Sequence, residues 1–297
     1  MKKFIVLTDS TSDISKKDRE LYNIDYLKMT FTINEKEYDA DLDWKDITPE
    51  EYYGLMRKGY RSITGLVKTI EFETKFEEAL KNGYDVLYVA CSSKLSGSLN
   101  NGKLVAAELQ DKYKDRKIIC FDSLRSNYAE AMIAIEAAKK AEEGKTIDEA
   151  VEELSKIRLN YQTYATVNSL EWLKKAGRVK ASKAFFGTLF GVKPIIVGDS
   201  LGYNTSFKKE KGRKNSLDFL ANTIQERLLN PQEGTLVIEH ADCLIDAQYL
   251  EDKVKELIPS LKEIIICPLG PIIGATTGPE TITCNFYGAK VTVTPEE

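Results

Sequence analysis

The chain alternates short apolar runs with longer segments in which apolar residues recur at helical spacing. In the first half, the apolar runs predict strands at residues 3–8, 25–33, 85–91 and 117–122. The helical patterns predict helices at residues 48–58, 70–82, 98–112, 127–142 and 146–160. Strands that are apolar throughout and are separated by helices are typical of a parallel sheet covered on both faces.

The second half has a different pattern. It predicts strands at residues 162–167, 193–197, 201–207, 235–239, 263–267 and 289–294, and helices at 213–228 and 247–258. Gly198 and Gly202 predict a hairpin between two of these strands, and a hairpin requires an antiparallel pair. We therefore predict two α/β domains, residues 1–160 with a parallel sheet and flanking helices and residues 161–297 with a mixed sheet, and a ligand cleft between them.

Three of the apolar runs end in a turn that is rich in hydroxyl groups. These turns are residues 8–13, residues 92–98 and a C-terminal loop that ends at residues 276–279. The ends of strands in α/β proteins commonly carry ligand sites, and hydroxyl and backbone N–H groups suit a carboxylate or a phosphate. The turns contain no histidine, cysteine pair or carboxylate dyad. They therefore predict anion binding rather than bond cleavage.

Composition and charge exclude several classes of protein. The chain has 297 residues, of which 42% are hydrophobic and 30% charged, as in an ordinary globular protein. A net charge of −4 gives no reason to expect nucleic acid or an anionic membrane as the main partner. The first apolar run is too short for a signal sequence or a membrane span, and the five cysteines are scattered without a CxxC motif. We therefore expect a cytoplasmic protein with buried thiols and no stable membrane insertion.

Metal binding and nucleotide binding have weaker support. His240 is the only histidine and falls at a predicted strand end, so we predict no metal site. Residues 97–103, from Gly97 to Lys103, have the spacing of a phosphate-binding P-loop after a strand. Leu104 follows, however, where magnesium binding requires serine or threonine. A nucleotide-using enzyme of phosphoryl transfer, built on Gly97–Lys103 and Asp122, is the alternative to a binding protein.

Taken in order, the motifs resemble those of the DegV family, two-domain bacterial fatty-acid-binding proteins with the EDD fold. The segments that carry the resemblance are residues 8–13, 92–98, 121–123, 170–179, 192–195 and 270–279. They extend over nearly the whole chain, and six motifs in the right order are more specific than any one of them.

The resemblance implies a non-catalytic carrier without a cofactor. It implies one long-chain fatty acid bound between the domains and presented to a separate fatty acid kinase. Ser96 matches a carboxylate-holding serine of the family, and Thr64 matches a threonine of its Thr-Ser-Gln-Pro-Ser stretch. We predict that the carboxylate is held by Thr64, Ser96, Gly97, Thr276 and Thr277. For the kinase partner, the prediction is Arg178 and Lys211.

This chain departs from the family pattern at several positions. Thr276 stands where the family usually has a histidine, and Glu280 replaces a glycine. Around Thr64 only the threonine of the family motif is retained, and Lys211 stands where an arginine is common. Binding of an acyl chain tolerates such changes better than delivery to a kinase. The chain is therefore identified as a divergent member.

Several residues also have a purely structural interpretation. For the acyl chain we predict a pocket lined by Phe185, Phe186, Leu189 and Phe190, although such aromatic residues also pack in ordinary cores. Serine and threonine in the turns, Ser10, Thr11, Ser92 and Ser98, are good helix N-caps. Asp9 and Asp122 at strand ends are suited to holding loops, and Arg178 to offsetting a helix dipole.

Overall fold

The computed structural model describes residues 4–182, 185 and 191–295. In chain order, the first 160 residues form β1 (Phe4–Asp9), α1 (Lys16–Tyr22), β2 (Ile24–Leu27), β3 (Thr30–Ile33), β4 (Lys36–Asp39), α2 (Pro49–Arg57), β5 (Ile63–Gly65), α3 (Thr69–Lys81), β6 (Asp85–Ala90), α4 (Ser98–Lys112), β7 (Ile118–Asp122), α5 (Asn127–Glu142) and α6 (Ile147–Ile157). Helices α2 and α6 begin at the capping boxes of Thr48 with Glu51 and of Thr146 with Glu149. Both helix starts confirm the sequence prediction.

The C-terminal half contains the remaining helices and strands, between residues 161 and 287. It forms β8 (Tyr161–Thr166), α7 (Leu170–Ala176), β9 (Val179–Lys180), β10 (Val192–Gly198), β11 (Asn204–Lys211), α8 (Arg213–Arg227), β12 (Thr235–His240), α9 (Leu244–Leu257), β13 (Glu263–Pro268), α10 (Pro271–Thr277) and β14 (Ile282–Tyr287). The hairpin predicted around Gly198 and Gly202 is present, because β10 and β11 pair antiparallel.

The N-terminal half contains a four-stranded parallel sheet in the order β2-β1-β6-β7. Its side chains alternate between two buried cores, as the period of a strand requires. Phe4 and Val6 of β1 belong to the core beneath α5 and α6, whereas Leu7 belongs to the core beneath α3 and α4. The sheet is therefore covered on both faces, which confirms the prediction.

The C-terminal half contains a seven-stranded mixed sheet in the order β13-β12-β14-β8-β10-β11-β9. Helices α8 and α9 cover one face through Leu217, Leu220 and Leu250. On the other face, Val237 of β12 packs in the same core as α5. Helix α5 therefore lies between the two large sheets, and the predicted α/β fold with a mixed second sheet is confirmed. Since β8 begins the second sheet at residue 161, we propose the domain boundary at residues 160 and 161.

Two strand predictions are wrong. Residues 25–33 form two strands rather than one, because β2 joins the parallel sheet and β3 joins a small antiparallel sheet in the order β4-β3-β5. Residues 289–294 are not a strand, and the last strand is β14. Helices α1 and α10 and the short strands β4, β5 and β9 were not predicted.

Helix α10 belongs to the C-terminal half but is fixed to the N-terminal half. The Tyr52 hydroxyl donates to the Pro271 carbonyl at 2.8 Å, and the Tyr53 hydroxyl donates to the Leu269 carbonyl at 2.7 Å. Ile272 packs in the core beneath α3 and α4. These contacts bring the C-terminal loop of residues 270–279 over the ends of the parallel strands.

Among the residues that the structure describes, no helix has the length and apolar character needed to cross a membrane.

Candidate functional site

The predicted binding residues meet in one cleft at the carboxyl ends of β1, β6 and β7. Helix α10, Asn204 and the residues that follow α7 close it from the C-terminal half. The cleft has a volume of about 90 Å³ and is lined by six of the predicted residues, Thr64, Ser96, Gly97, Arg178, Thr276 and Thr277. Residues that are far apart in the sequence therefore form a single site.

Asp9 organises the first two turns of the cleft. One carboxylate oxygen accepts the Thr11 N–H at 3.0 Å. The other accepts the Tyr88 hydroxyl at 2.6 Å and the Cys91 N–H at 3.2 Å. Asp122 holds the turn after β7 in the same way, since it accepts the N–H groups of Ser93 and Leu124. The interpretation that these two aspartates hold loops is confirmed.

Four hydroxyl groups do not cap helices as their sequence context suggests. Ser10 Oγ accepts the Met29 N–H at 2.8 Å, and Thr11 Oγ1 bonds to buried carboxyl groups. Ser92 Oγ donates to the Gly202 carbonyl at 2.7 Å. This bond joins the turn of residues 92–98, the serine loop, to the C-terminal half. Ser98 is itself the first residue of α4. Each hydroxyl takes part in a contact between distant segments of the chain rather than in a helix cap.

The Ser96 hydroxyl lies at the start of α4. Its Oγ accepts the Ser98 N–H at 3.2 Å and lies 3.1 Å from Ser98 Oγ. Ser98 Oγ in turn accepts the Val67 N–H at 3.3 Å, which ties this loop to the segment after Thr64. Because a hydroxyl proton rotates, Ser96 can turn its donor from Ser98 towards an anion in the cleft.

The threonines of the cleft differ in their hydrogen bonding. The Thr277 hydroxyl donates to the Ile273 carbonyl at 3.1 Å. Within the described ranges, the hydroxyls of Thr64 and Thr276 have no hydrogen-bond partner, and both residues are half-buried. Thr64 and Thr276 are therefore the hydroxyl groups best placed to donate to a ligand.

The backbone adds a favourable field for an anion. Helix α4, of 15 residues, begins at Ser98, and α5, of 16 residues, begins at Asn127. Gly97 and Ser126, which precede these helices, both line the cleft. The N-terminus of a helix carries a partial positive charge, so both helices favour a negative group in the cleft. The apolar part of the wall includes Met29, Leu66 and Leu95.

Glu130, beneath the cleft, carries a proton. Thr11 Oγ1 lies 2.5 Å from Asp9 Oδ1 and 2.7 Å from Glu130 Oε2. One hydroxyl hydrogen cannot serve two carboxylates, so one of the acids must be protonated. Burial, and then the charge of Asp9, raise the pKa of Glu130 well above its usual range. Glu130 therefore donates to Thr11, and Thr11 donates to Asp9.

A second buried carboxyl pair joins the two halves. Asp13 Oδ2 accepts the Gly270 N–H at 3.0 Å, and Glu239 Oε2 accepts from Thr283 at 2.6 Å and from Asn285 at 2.7 Å. The other oxygen of each acid is buried without a donor in the described part of the chain. Burial and then the charge of Glu239 raise the pKa of Asp13, which favours a proton on this pair of acids. One shared proton satisfies both oxygens.

The polar atoms in and near the cleft do not form a nucleophilic centre. Cys91 lines the cleft, but burial raises the pKa of its thiol well above the ordinary value, which keeps it protonated. His240 ends β12, and its Nδ1 accepts the Cys243 N–H at 3.4 Å. Burial lowers the pKa of His240. The interpretation of His240 as a strand-end residue is confirmed.

The two predicted partner-binding residues lie in different places. Arg178 is exposed, lines the cleft and donates to the Ala176 carbonyl at 2.7 Å, at the end of α7. This contact agrees with the interpretation that Arg178 offsets a helix dipole. Lys211 is exposed at the far end of β11 from Asn204, about 23 Å away at the rise of a strand. Lys211 is therefore not part of the cleft.

The residues predicted to line the acyl pocket are only partly described. Phe185 is half-buried and packs against a cluster that includes Ala165, Val167 and Ile196. The other three, Phe186, Leu189 and Phe190, lie outside the described residues. The acyl pocket therefore stays a prediction.

Residues 97–103 do not form a phosphate-binding loop, which argues against the P-loop alternative. Helix α4 begins at Ser98, so Gly102 and Lys103 lie inside the helix. The Asn101 N–H already bonds to the Gly97 carbonyl at 3.1 Å. A Cβ on Gly102 would lie 2.9 Å from a ring carbon of Phe72, so this glycine serves close packing. The spacing arises from a helix rather than from a phosphate-binding turn.

A larger, more open cavity of about 430 Å³ lies between α5 and the beginnings of β12 and β13. Its lining includes the carboxylates of Asp18, Glu136, Glu233 and Glu263, and Lys139 as the one basic residue of the described lining. Such an acidic lining disfavours an anion. None of the predicted site residues that the structure describes lines this cavity.

Comparison with known proteins gives consistent matches over the full length. Residues 3–288 match the family model described as an uncharacterised protein of the DegV family. A DegV domain-containing protein of Clostridium perfringens is 35% identical over 288 residues, which cover 97% of this chain and 98% of the relative. A second one, from Clostridium acetobutylicum, is 32% identical and covers 94% of this chain and 96% of its own length.

Solved structures show the same fold. A DegV family protein from Thermus thermophilus, described by its fatty acid binding, superposes with a TM-score of 0.85 at 24% identity, covering 97% of this chain and 100% of that protein. A stearic acid-binding protein from Eubacterium ventriosum superposes with a TM-score of 0.83 at 21% identity, covering 96% of this chain and 98% of that one. At these identities the match establishes the fold alone.

Proposed function

Because the chain belongs to the DegV family, we propose that it binds one long-chain fatty acid between its two domains, with the carboxylate held by hydroxyl and loop N–H groups. The observation that carries the proposal is the convergence of Thr64, Ser96 and Thr276 on one cleft at two helix N-termini. The fatty acids named for the Thermus thermophilus and Eubacterium ventriosum proteins support the same class of ligand.

The two ends of the ligand have different energetic roles. A hydrogen bond to a charged acceptor contributes about 1.5–3 kcal/mol. Burial of about 14 methylenes contributes on the order of 10 kcal/mol, much of which is offset by the ordering of the ligand. The acyl chain therefore supplies most of the affinity and the hydroxyls fix its orientation. A cleft of about 90 Å³ suits the head group, since pockets for whole ligands start at about 300 Å³.

We propose a carrier rather than an enzyme. Two observations support this view: the Cys91 thiol is protonated, and the Ser96 hydroxyl contacts only the N–H and hydroxyl of Ser98. Neither group has a base within the described site that would activate it as a nucleophile. The helical segment from Ser98 to Lys103 further disfavours the nucleotide-using alternative.

Native mass spectrometry of the freshly purified protein, followed by extraction of the bound lipid, tests this function. Replacing Ser96 by alanine is expected to lower the affinity for the fatty acid about 10-fold or more, because one hydrogen bond to the carboxylate is lost. Ser93→Ala on the same loop is the control, since Ser93 is exposed and is not among the residues lining the cleft.

The outcomes separate the site from the function. Unchanged lipid occupancy in Ser96→Ala would remove Ser96 from the head-group site while leaving the carrier function intact. A wild-type protein that contains no fatty acid and ignores added fatty acid would count against the function itself.

We further propose that the carrier presents the acid to a fatty acid kinase and that Arg178 and Lys211 contact this partner. The exposure of Arg178 beside the cleft supports the proposal. Arg178→Ala is expected to keep lipid occupancy but to lower acyl-phosphate formation in a reconstituted assay with the kinase and ATP. Lys174→Ala is the control, since Lys174 is an exposed cation on α7. If Arg178→Ala loses the lipid, Arg178 belongs to the head-group site instead.

A further inference from the structure

Arg125, directly after β7, is a buried arginine whose hydrogen bonds go to carbonyl groups. Its side chain is 2% exposed. Nε donates to the Tyr161 carbonyl at 2.5 Å, and Nη1 donates to the carbonyls of Leu124 at 2.7 Å and Asp199 at 2.8 Å. Nη2 is buried and has no acceptor in the described residues. The guanidinium is therefore held firmly but is not fully satisfied.

The charge of Arg125 is also not paired. None of its hydrogen bonds within the described chain goes to a carboxylate. The charge of the buried Asp199 stabilises the charged form of Arg125, but its carboxylate bonds to the N–H groups of Leu201 and Tyr203 and to the hydroxyl of Thr205 rather than to the guanidinium. Burial lowers the pKa of Arg125 to about 10, so the side chain still carries its charge at neutral pH. A buried cation without a directly hydrogen-bonded carboxylate is costly and needs an explanation.

The position of Arg125 behind the cleft explains why a buried cation is placed there. Arg125 lines a small void together with Leu95, Ser126 and Asn204, and these three residues also line the cleft. The guanidinium thus lies one layer of side chains behind the proposed head-group site. The helix that begins at Asn127 adds its positive end at the same place. Both features favour an anion in the cleft over a neutral group of the same size.

We propose that Arg125 is the buried cation that, behind the exposed Arg178 of the cleft lining, makes this cleft select carboxylic acids over neutral lipids of the same chain length. This inference rests on the proposed function and deepens it. Arg125 acts as a positioning residue, since Leu95, Ser126 and Asn204 separate it from the cleft. The bound carboxylate adds a negative charge near a guanidinium whose own hydrogen bonds in the described chain go only to carbonyl groups.

The test compares hexadecanoic acid with 1-hexadecanol, both delivered from cyclodextrin to the full-length protein and followed by calorimetry. The wild type is expected to prefer the acid. Arg125→Met is expected to weaken binding of the acid about 10- to 100-fold, the size of an interaction with a charged group, and to leave binding of the alcohol nearly unchanged. Arg125→Lys keeps the charge and is expected to retain most of the preference.

Arg227→Met is the matched control. Arg227 is a half-buried arginine that bonds to Gln162 and to the carbonyls of Ala289 and Lys290, away from the cleft. Its loss is expected to leave the acid-to-alcohol ratio at the wild-type value, even if the protein becomes less stable. The ratio is insensitive to a general loss of folded protein, because both ligands would be affected equally.

A second readout needs no variant. The carboxyl signal of hexadecanoic acid labelled with ¹³C at C1 is expected to report an ionised ligand in the wild-type complex from pH 6 to 8. A protonated bound acid in that range would overturn the proposal, as would equal affinities for acid and alcohol in the wild type or an equal loss of both in Arg125→Met. In each of these cases the protein still binds fatty acid, whereas failure of the wild type to bind the acid at all would overturn the proposed function.

Discussion

Replacing Gly278 by alanine is expected to destabilise the protein by about 3 kcal/mol or more, because a backbone cost and a packing cost add at this position. Gly278 follows α10 with φ 81° and ψ 175°, a conformation that is essentially restricted to glycine. A Cβ built there would lie 2.2 Å from Cδ1 of Trp172 on α7. Carbon atoms in contact lie about 3.5–4.0 Å apart, so α7 or α10 would have to move. Urea unfolding at equilibrium measures the loss.

Gly144→Ala is the control for the backbone cost. Gly144 also has a positive φ, of 80°, but a Cβ there would meet no atom within 4 Å. We expect a loss of about 1 kcal/mol for this variant. Equal losses for the two variants would show that the contact with Trp172 costs nothing.

The same substitution has a functional consequence. Helix α10 carries Thr276 and Thr277 to the cleft, and α7 leads directly to Arg178. Displacing either helix moves head-group residues relative to the serine loop. Gly278→Ala is therefore expected to reduce fatty-acid occupancy even under conditions in which the protein remains folded.

The apolar strands and the helix caps were predictable because their causes are local. The runs at β1 and β6 are buried on both faces and β7 is half-buried at the edge of the sheet, so all three read as continuous apolar segments. The capping boxes at Thr48 and Thr146 need only residues three positions apart. Local patterns of this kind identify most of the elements without any tertiary information.

The wrong strand predictions have tertiary causes. In β14 the polar residues Thr283 and Asn285 are buried because they bond to Glu239 on the neighbouring strand β12. A strand with polar residues inside a core does not look apolar from its sequence. In residues 25–33, the break between β2 and β3 coincides with the hydrogen bond from the Met29 N–H to Ser10 Oγ. No pattern within the segment reveals that contact.

The candidate site was predicted only where a motif identified it. The motifs identified Thr64, Ser96 and Thr276, whose convergence the structure provides. Arg125 and Glu130 were missed, although a charged residue beside Ala129 and Ala131 in an apolar helix is a signal of a buried polar network. The role of such a residue depends on partners that only the fold brings together.

Glu130→Gln is expected to remove part of the pH dependence of stability. The pKa of Glu130 is raised in the folded state by burial and by Asp9, whereas an unfolded glutamate has a pKa of about 4.3. Above that pH, unfolding releases a proton that the folded state holds, so the contribution of Glu130 is complete below about pH 4 and is lost as the pH rises through its folded pKa. The loss amounts to about 1.4 kcal/mol for each pH unit between the two pKa values.

Glutamine fits the same hydrogen bonds without a proton to lose. Its carbonyl oxygen can accept from Thr8, as Glu130 Oε1 does at 2.9 Å, and its amide can donate to Thr11 Oγ1, which lies 2.7 Å from Glu130 Oε2. Urea unfolding at pH 5 and pH 8 is therefore expected to show a smaller difference for Glu130→Gln than for the wild type, with the variant the more stable of the two at pH 8.

The Asp13–Glu239 pair keeps the pH dependence of the variant from disappearing. The pKa values of this pair are also raised, so Glu130→Gln retains a decline in stability from pH 5 to pH 8.

Glu153→Gln is the control. The hydrogen bond with Lys145 lowers the pKa of Glu153, so the contribution of Glu153 to stability changes with pH in the opposite direction. If Glu130→Gln and the wild type lose the same stability between pH 5 and pH 8, Glu130 is ionised in the folded protein. The hydrogen bond from Glu130 to Thr11 would then be wrong, and the single hydroxyl hydrogen of Thr11 would serve only one of its two neighbours, Asp9 Oδ1 or Glu130 Oε2.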